Sequence, residues 1–490
     1  MSSLPRPPIL PHGNPSTLSG LSETFSFHSS PESFITSRVL AFQASNPTLA
    51  DSRTPIRARV LNRNVAVISS YDHVRQILCD EDIALKVSAG KAYEELMEPF
   101  FPPPNLLLAD PPAHQPMKDV WKSRMRSLHA EVGSMVQEVV VEYFRGFISG
   151  STIDLYESMK ELSWRLILGI FTAASEEDAA EIEALQEDLL RGQFSLFPVS
   201  INAKLWRSPR AKGKAARKKL HVLLKARIEN RAKTCPFATK SSTEVEDVAS
   251  HLLLFTSSLA VKSLASLLTA VLLNLFIYLE AGRGDGDTHA SRILTLTDRA
   301  DQFELLQSTI LETERLSPPV VGIMRRTTQD IVLSSRQNDI QDTLLPKHWD
   351  VWLYFVGAGR DPATFGEAAD LFRPGRYYNP NENVNDLGHG FAYGAGPKSC
   401  LGEGLMRKIV TTVAATCLGL QSEKLDPNRR IRLQGSPSDI PKGVQGWLGW
   451  QRNVKPEEWA RDMKQLPTQR PLRAVMVKLV HNLDSEPSIS

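Results

Sequence analysis

From Ile56 to Ser70 apolar and polar residues alternate on both sides of an Asn-containing turn (IRARVLNRNVAVISS), the period-two pattern of a β-hairpin. A short helix is expected next, over Tyr71–Cys79. Pro99, Pro102, Pro103, Pro104, Pro111, Pro112 and Pro116 mark residues 99–116 as an irregular loop. From Val120 to about Arg191 apolar positions recur with the helical period. No proline lies between Pro236 and Pro318, so long helices run unbroken there. The most apolar of these, Leu252–Leu279, has no acidic residue, and a helix of that length, about 42 Å, is able to cross a bilayer. Its Thr256, Ser257, Ser258, Lys262, Ser263, Ser266, Thr269 and Asn274, and the lack of any second such stretch, favour a buried central helix. Beyond Pro318 short apolar runs alternate with turns and prolines. The expected fold class is mainly α with a smaller β-rich part drawn from about 51–70 and 320–490. A proline-punctuated arm over 1–50 precedes one domain over 51–490, without internal repeats.

Composition narrows the function classes. Of 490 residues 42% are hydrophobic and 23% charged, which suits a large globular core and excludes a wholly disordered chain. The net charge of +2 offers no whole-molecule argument for nucleic acid. Residues 204–233 hold twelve Lys or Arg against Glu229 alone. A solvated loop and helix face is the favoured reading of this run, and peripheral contact with an anionic membrane or an acidic partner the sharper one. Nucleic acid is disfavoured, because Trp206 is the one aromatic residue interleaved. Cys79, Cys235, Cys400 and Cys417 share no CxxC spacing and are too few for a disulfide framework, which points to a reducing compartment. The N-terminus lacks the apolar core of a signal peptide, so a cytoplasmic protein, soluble or peripherally membrane-associated and not secreted, is expected. Ala281–Ala290 has glycines and acids but neither phosphate-loop nor EF-hand spacing, and reads as a turn.

Candidate chemistry concentrates in Gly388–Val410, GHGFAYGAGPKSCLGEGLMRKIV. Cys400 stands just ahead of an amphipathic helix bearing Leu405, Ile409, Val413 and Cys417. A sulfur at a helix N-terminus meets unpaired N–H groups and the positive dipole end, which favour thiolate over thiol. Such a thiolate is a soft metal ligand or a nucleophile. A nucleophile needs a placed base, for which this segment offers His389 alone, and the chain has no G-x-S-x-G.

Phe391, Gly394, Gly396, Cys400 and Gly402 fit F-x-x-G-x-G-x-x-x-C-x-G, and the segment resembles the heme-binding loop of the cytochrome P450 (heme-thiolate) superfamily. The resemblance implies a fold with heme b between the long central helix and the cysteine loop, and Cys400 as the proximal iron ligand. Lys398, where the family carries Arg or His, is implied to pair with a heme propionate. Upstream, Glu312 and Arg315 in LETERLSPP resemble the family's ExxR helix, and Phe372, Pro374 and Arg376 its F-x-P-x-R motif. Glu312, Arg315 and Arg376 are then a buried network that holds the heme loop's scaffold. Arg325 matches the propionate-binding arginine, with Arg326 the alternative one register away. ADPPAHQPMK resembles D-P-P-x-H-x-x-x-R, which makes His114 and Lys118 further propionate partners. A distal pocket is implied at Phe100, Phe101, Leu106, Phe255, Ser257, Ser258, Leu259, Ala260, Val320, Val321, Ile323 and Trp447.

One departure from the family bears on function. Aligned on Phe255, Leu259 and Ala260 replace the acid–Thr pair that delivers protons to iron-bound dioxygen, and neither side chain holds a proton. No Asp or Glu lies between Asp247 and Glu280. The implied function is a monooxygenase-type oxidation of a hydrophobic small molecule (a lipid, terpenoid or other secondary metabolite), with an NADPH-dependent reductase or ferredoxin as partner. The alternative is a non-oxygenase heme-thiolate enzyme, catalysing peroxide rearrangement, dehydration or isomerisation, or a peroxygenase, none of which needs an electron-donating partner. A non-catalytic heme-binding protein is the remote third.

Overall fold

The computed structural model describes residues 55–60, 63–194, 207–230, 242–277, 288–334, 342–378, 389–420 and 430–435, with 463–464, 468–471, 474–481 and isolated residues besides. Most of the N-terminal arm, the Ala281–Ala290 turn apart from its last residues, and Trp447 lie outside the described residues.

The expected hairpin is present as β1 (Ile56–Val60) and β2 (Arg63–Ile68), antiparallel with Ile56 opposite Val67. α1 (Tyr71–Cys79) begins at Ser70, whose hydroxyl accepts the amide of His73. β3 (Val87–Ser88), α2 (Ala89–Met97), α3 (His114–Arg124) and α4 (Arg126–Arg145) follow. α3 begins inside the stretch expected to be loop: Pro116 sits in its first turn, where a missing amide hydrogen costs nothing. β4 (Thr152–Asp154) interrupts the run expected to be wholly helical, because it pairs with β12 (Met476–His481) from the far end of the chain. α5 (Leu155–Thr172) is capped by Asp154, and α6 (Glu176–Gln193) by Ser175. α7 (Pro209–Asn230) carries the basic run.

The expected unbroken central helix is two helices, α8 (Ser242–Phe255) and α9 (Ser258–Phe276). Thr256, Ser257 and Ser258 cause the break. Thr256 Oγ1 donates back to the Leu252 carbonyl (2.7 Å), and Ser257 leaves helical geometry to cap the amide of Ala260 (3.3 Å). α9 is apolar nearly all round and buried against α5, α11 (Arg299–Leu316) and α12 (Glu403–Leu418), as a central core helix must be. The whole Glu244–Phe276 segment is long and apolar enough to cross a membrane by length and composition, yet most of it is covered by protein.

α10 (His289–Thr295) leads into α11. β5 (Gly322–Thr327) and β8 (Asp350–Tyr354) then complete a five-stranded sheet ordered β1-β2-β8-β5-β3, with β6 (Ile331–Leu333) and β7 (Thr343–Leu345) as a side hairpin. β2 and β8 pair in parallel, and every residue of β8 is buried, as expected of a strand covered on both faces. β9 (Ile431–Gln434) joins β12 and β4 in a second sheet. β10 (Met463–Lys464) and β11 (Arg470–Pro471) pair with each other. Mainly helical with a smaller sheet part is therefore the observed class, with β4 as a strand the sequence pattern hides.

Two glycines fix how the cysteine loop lies. Gly396 has φ +67°, and a Cβ there would stand 1.9 Å from the Leu78 carbonyl oxygen at the end of α1. A Cβ at Gly390 would stand 2.6 Å from Arg315 Cα, so the loop crosses directly over α11. Gly366 also has a positive φ (+75°) but no neighbour within 4 Å of the added Cβ. Gly366, at φ +75° and ψ −176°, sits in a region that essentially only glycine occupies, so Gly366→Ala is expected to cost that backbone penalty alone, about 1–3 kcal/mol. Gly396→Ala adds overpacking of a further ~1–3 kcal/mol. Chemical denaturation of the two variants side by side checks that order.

Candidate functional site

The strongest interaction at the site is fully buried. α11 places Glu312 and Arg315 three residues apart on one face, both 0% exposed, with Arg315 Nε donating to Glu312 Oε2 (2.8 Å) and Nη2 to Oε1 (2.7 Å). Arg315 spends its other donors on backbone carbonyls of Gly359, Ala369 (2.5 Å) and Leu371 (3.1 Å). Glu312 Oε1 also accepts the Arg373 amide (2.9 Å) and, more loosely, Arg376 Nε (3.5 Å), while Arg376 reaches the Phe365 and Ala368 carbonyls. Both guanidinium groups lie over the Phe365 ring. The three predicted residues thus converge, and they tie α11 to residues 359–376.

Cys400 follows a short 3-10 turn, Gly396–Lys398, and immediately precedes α12. Its amide donates to the Tyr393 carbonyl (2.8 Å), closing the loop, and its sulfur accepts the amides of Gly402 and Glu403. The expectation that the helix terminus alone secures the thiolate is corrected here. Burial pushes the thiol pKa up, and outweighs those two amides and Lys118. An ionised Cys400 therefore needs a cation at the sulfur, which a bound metal supplies. The side chain of Cys400 is exposed, with accessible surface that no protein group covers. Among the described residues no group of three His, Cys, Asp or Glu side chains gathers to form a metal cage. A metal at Cys400 must bring its other donors with it.

Cations crowd the same region. Lys118, buried on α3, donates to the carbonyls of Pro397 (2.9 Å) and Ser399 (2.7 Å) and to the Ser399 hydroxyl (3.0 Å). Lys398 donates to the carbonyls of Leu106 (3.1 Å), Leu107 (3.1 Å) and Ala109 (2.6 Å). Arg325, also buried, donates to the Met324 carbonyl (2.9 Å), and among the described residues it has no carboxylate partner. Arg326 pairs with Asp350 (2.7 Å), so its charge is answered within the sheet, whereas Arg325 lies near Lys398. Desolvation lowers the pKa of Arg325 and Lys118, and pushes Lys398 down to about 8. Asp110 is the carboxylate that opposes this at Arg325 and Lys398, but it already accepts the amides of Ala89 (2.9 Å) and Gly90 (3.2 Å). Burial, then Lys398 and Lys118, push His114 down to about 4, leaving it neutral with Nδ1 buried and unpartnered. Trp121 Nε1, one helical turn beyond Lys118, is likewise buried without a partner.

These observations fit heme. A lone, exposed sulfur suits an iron that carries its own four donors. Two buried cations, the half-buried Lys398 and two unpartnered ring nitrogens suit a pair of propionates. Cys400, Lys118, Lys398, Arg325 and His114 are brought together as the sequence implied. Phe391 stacks on Phe355 (5.7 Å) beneath the loop, Gly394 has φ +69°, and Gly402 is the N-cap of α12.

The distal residues divide. Phe255, Leu259, Ala260, Val320 and Ile323 are half-buried, as wall residues of a cavity would be. Val321 is not one of these: it is fully buried on the sheet face with Val65, Trp352 and Tyr354. Phe100, Phe101 and Leu106 are packed into the helical core. Ser257 is used as a cap, and Ser258 Oγ donates to Glu187 Oε1 (2.6 Å) instead of facing open space. Lys262 Nζ donates to the other oxygen of Glu187 (2.8 Å). α6 thereby brings to the helix break a carboxylate that α9 lacks. Lys262 and Ser258 hold its pKa below the usual value against burial. Nothing local in the sequence marks Glu187, whose partners Ser258 and Lys262 are distant along the chain.

A family model described as Cytochrome P450 matches residues 289–434, which include α11, the Arg376 segment and the cysteine loop. Cytochrome P450 714C2 of Oryza sativa subsp. japonica is 30% identical over 128 residues, 26% of this chain and 23% of its own length. Cytochrome P450 monooxygenase gsfF of Penicillium aethiopicum is 30% identical over 102 residues, 21% of this chain and 19% of its own. The matched segment thus spans about a fifth to a quarter of these curated relatives. The solved structure of retinoic acid bound cyanobacterial CYP120A1 superposes with a TM-score of 0.70 over 98% of this chain and 100% of that one, at 17% identity.

Removing one partner of the buried pair, by Glu312→Gln or Arg315→Met, is expected to destabilise the chain by about 3–5 kcal/mol, measured by urea unfolding. His114 supplies a pH test. Its folded pKa of about 4 lies below the ordinary 6.5, so the unfolded chain binds the proton first. Stability of the cofactor-free chain should fall as pH drops from 6.5 to 4, by at most about 3 kcal/mol. His114→Gln should flatten that part of the profile.

Proposed function

The chain belongs to the cytochrome P450 superfamily, and on that premise we propose that it is a heme-thiolate oxidoreductase carrying out monooxygenase-type oxidation of a hydrophobic small molecule. The observation that carries this reading is the exposed Cys400 sulfur in one region with the desolvated cations Lys118, Lys398 and Arg325, which donate to neutral carbonyls. Cys400 would hold the iron of heme b; Lys118, Lys398, Arg325 and His114 would hold its propionates. Heme bound in this way supplies an iron centre whose thiolate ligand favours O–O cleavage.

The chain's own residues perform the rest. Lys118 and Lys398 also bind carbonyls on each other's segments, so they lock the loop over 106–109 to the cysteine loop. Glu312 and Arg315 fix the backbone beneath. Phe255, Leu259 and Ile323 offer an apolar wall, which excludes water and suits a lipid, terpenoid or similar secondary metabolite. Glu187 holds a proton-accepting oxygen against Ser258 Oγ at the helix break, in reach of the stretch where Leu259 and Ala260 have none. An electron-donating reductase or ferredoxin completes this reading. On α7, Lys212, Lys214, Arg217, Lys218 and Lys219 have no acidic partner among the described residues, whereas Arg210 and Arg227 are buried inside the fold. The free set supports peripheral contact with an anionic surface by a protein that stays cytoplasmic.

One observation favours the second reading, a rearrangement, dehydration or peroxide-driven reaction. Two of the hydroxyls near Leu259 and Ala260 are spent on the backbone: Ser257 accepts the Ala260 amide, and Ser263 donates to the Leu259 carbonyl (2.8 Å). The heme-loaded chain is expected to give a thiolate-type ferrous carbon monoxide spectrum, lost in Cys400→Ser. Product formation that requires NADPH and a reductase supports the monooxygenase. Turnover of a hydroperoxide without any electron donor supports the second reading, and no turnover under either condition leaves a non-catalytic heme protein. In the first case Glu187→Gln should lower turnover about 100-fold with the spectrum unchanged.

A further inference from the structure

α11 carries a second buried carboxylate that the site described above does not use. Glu314 stands two residues beyond Glu312, so it leaves the helix on another face, and it is 2% exposed. Its partner is Arg407 on α12, two turns past Cys400. Arg407 Nε donates to both Glu314 oxygens (3.2 and 3.0 Å) and Nη2 donates to Oε2 (2.8 Å). Nη1 of the same guanidinium reaches Glu403 Oε1 (2.7 Å), three residues after the sulfur. The plane of Arg407 lies 5.1 Å from the centre of the Tyr393 ring. Tyr393 supplies the carbonyl that accepts the Cys400 amide. One arginine therefore touches the two carboxylates that flank the start of α12, and the residue that closes the cysteine loop. Gln307 Nε2 to Thr411 Oγ1 (2.9 Å) adds a neutral tie between the same two helices.

We propose that Arg407, held by Glu314, is a positioning residue that clamps the Tyr393–Cys400 loop onto α11 and balances the negative charge around the sulfur. The clamp is separate from the Glu312–Arg315 pair: that pair ties α11 to the segment before the loop, and this one ties α11 to the helix after it. Its electrostatic part rests on the heme-thiolate reading. Its mechanical part stands on the contacts alone.

Charge balance makes the two partners act in opposite directions, which a merely structural role would not. In the heme-loaded chain Arg407→Leu removes a cation and leaves Glu314 and Glu403 uncompensated, so the midpoint reduction potential shifts downward. Glu314→Gln removes an anion at constant shape and shifts it upward. The double variant returns close to the starting potential, and Arg407→Lys lies nearer to it than Arg407→Leu. Equal signs for the two single variants, or no shift in either, overturn the electrostatic clamp. The mechanical part is read in the cofactor-free chain by hydrogen exchange at the Cys400 amide, which should quicken at least tenfold in Arg407→Leu. Unchanged exchange there overturns it. Glu314→Gln, the milder change, provides the same readout where Arg407→Leu does not fold. A heme-loaded chain without a thiolate spectrum counts against the proposed function, while the exchange measurement still decides the clamp.

Discussion

An ion pair with no exposure to water, Glu312 with Arg315, is the constraint on which the other features rest. Taking two charges out of water costs several kcal/mol each, so such a pair survives only where every remaining donor and acceptor is used. Here they are used on the end of a short helix, Phe355–Gly359, and on the turns that follow it. Arg315 holds the carbonyls of Gly359, Ala369 and Leu371, and Glu312 holds the Arg373 amide. A segment that could otherwise wander is thereby fixed to a helix in the core. The cysteine loop then crosses α11 at Gly390, where only a residue without a side chain fits above Arg315. The position of the sulfur is thus inherited from a salt bridge that never touches it.

Around the sulfur the electrostatics run opposite to those of a stable empty cavity. Lys118, Lys398 and Arg325 are desolvated, and their hydrogen-bonding partners are neutral carbonyls or a hydroxyl. Asp110 is shared among them and is also committed to the start of α2. Burial raises the Cys400 thiol for the same reason that it lowers the lysines. A cofactor bringing a metal cation to the sulfur and two carboxylates to the cations relieves both penalties together. At the break between α8 and α9 the charge is settled within the protein, where Glu187 answers Lys262.

What the sequence discloses and what it hides follow from the range of the forces involved. The β1–β2 hairpin and α1 are legible because their patterns are local: alternation around a turn, and a serine cap before an amphipathic helix. The glycine spacing around Cys400 and the Glu312–Arg315 interval are legible because loop and helix geometry dictate them residue by residue. The break between α8 and α9 was within reach, since three consecutive hydroxyl residues compete for backbone groups, but the apolar length of the segment conceals it. β4 is invisible because its partner lies more than three hundred residues away. The same holds for Glu187 and Glu314, which are ordinary helix acids until the fold brings Ser258 and Arg407 to them. Val321 packs with Val65, Trp352 and Tyr354, neighbours distant along the chain that its own position does not disclose.

The central claim is that the sulfur of Cys400 bonds to heme iron. X-ray absorption at the iron edge of the heme-loaded chain tests it without reference to substrate or partner. A sulfur atom directly bonded to iron, absent in Cys400→His, is the predicted result. Iron surrounded by nitrogen and oxygen alone in the unaltered chain would contradict the account.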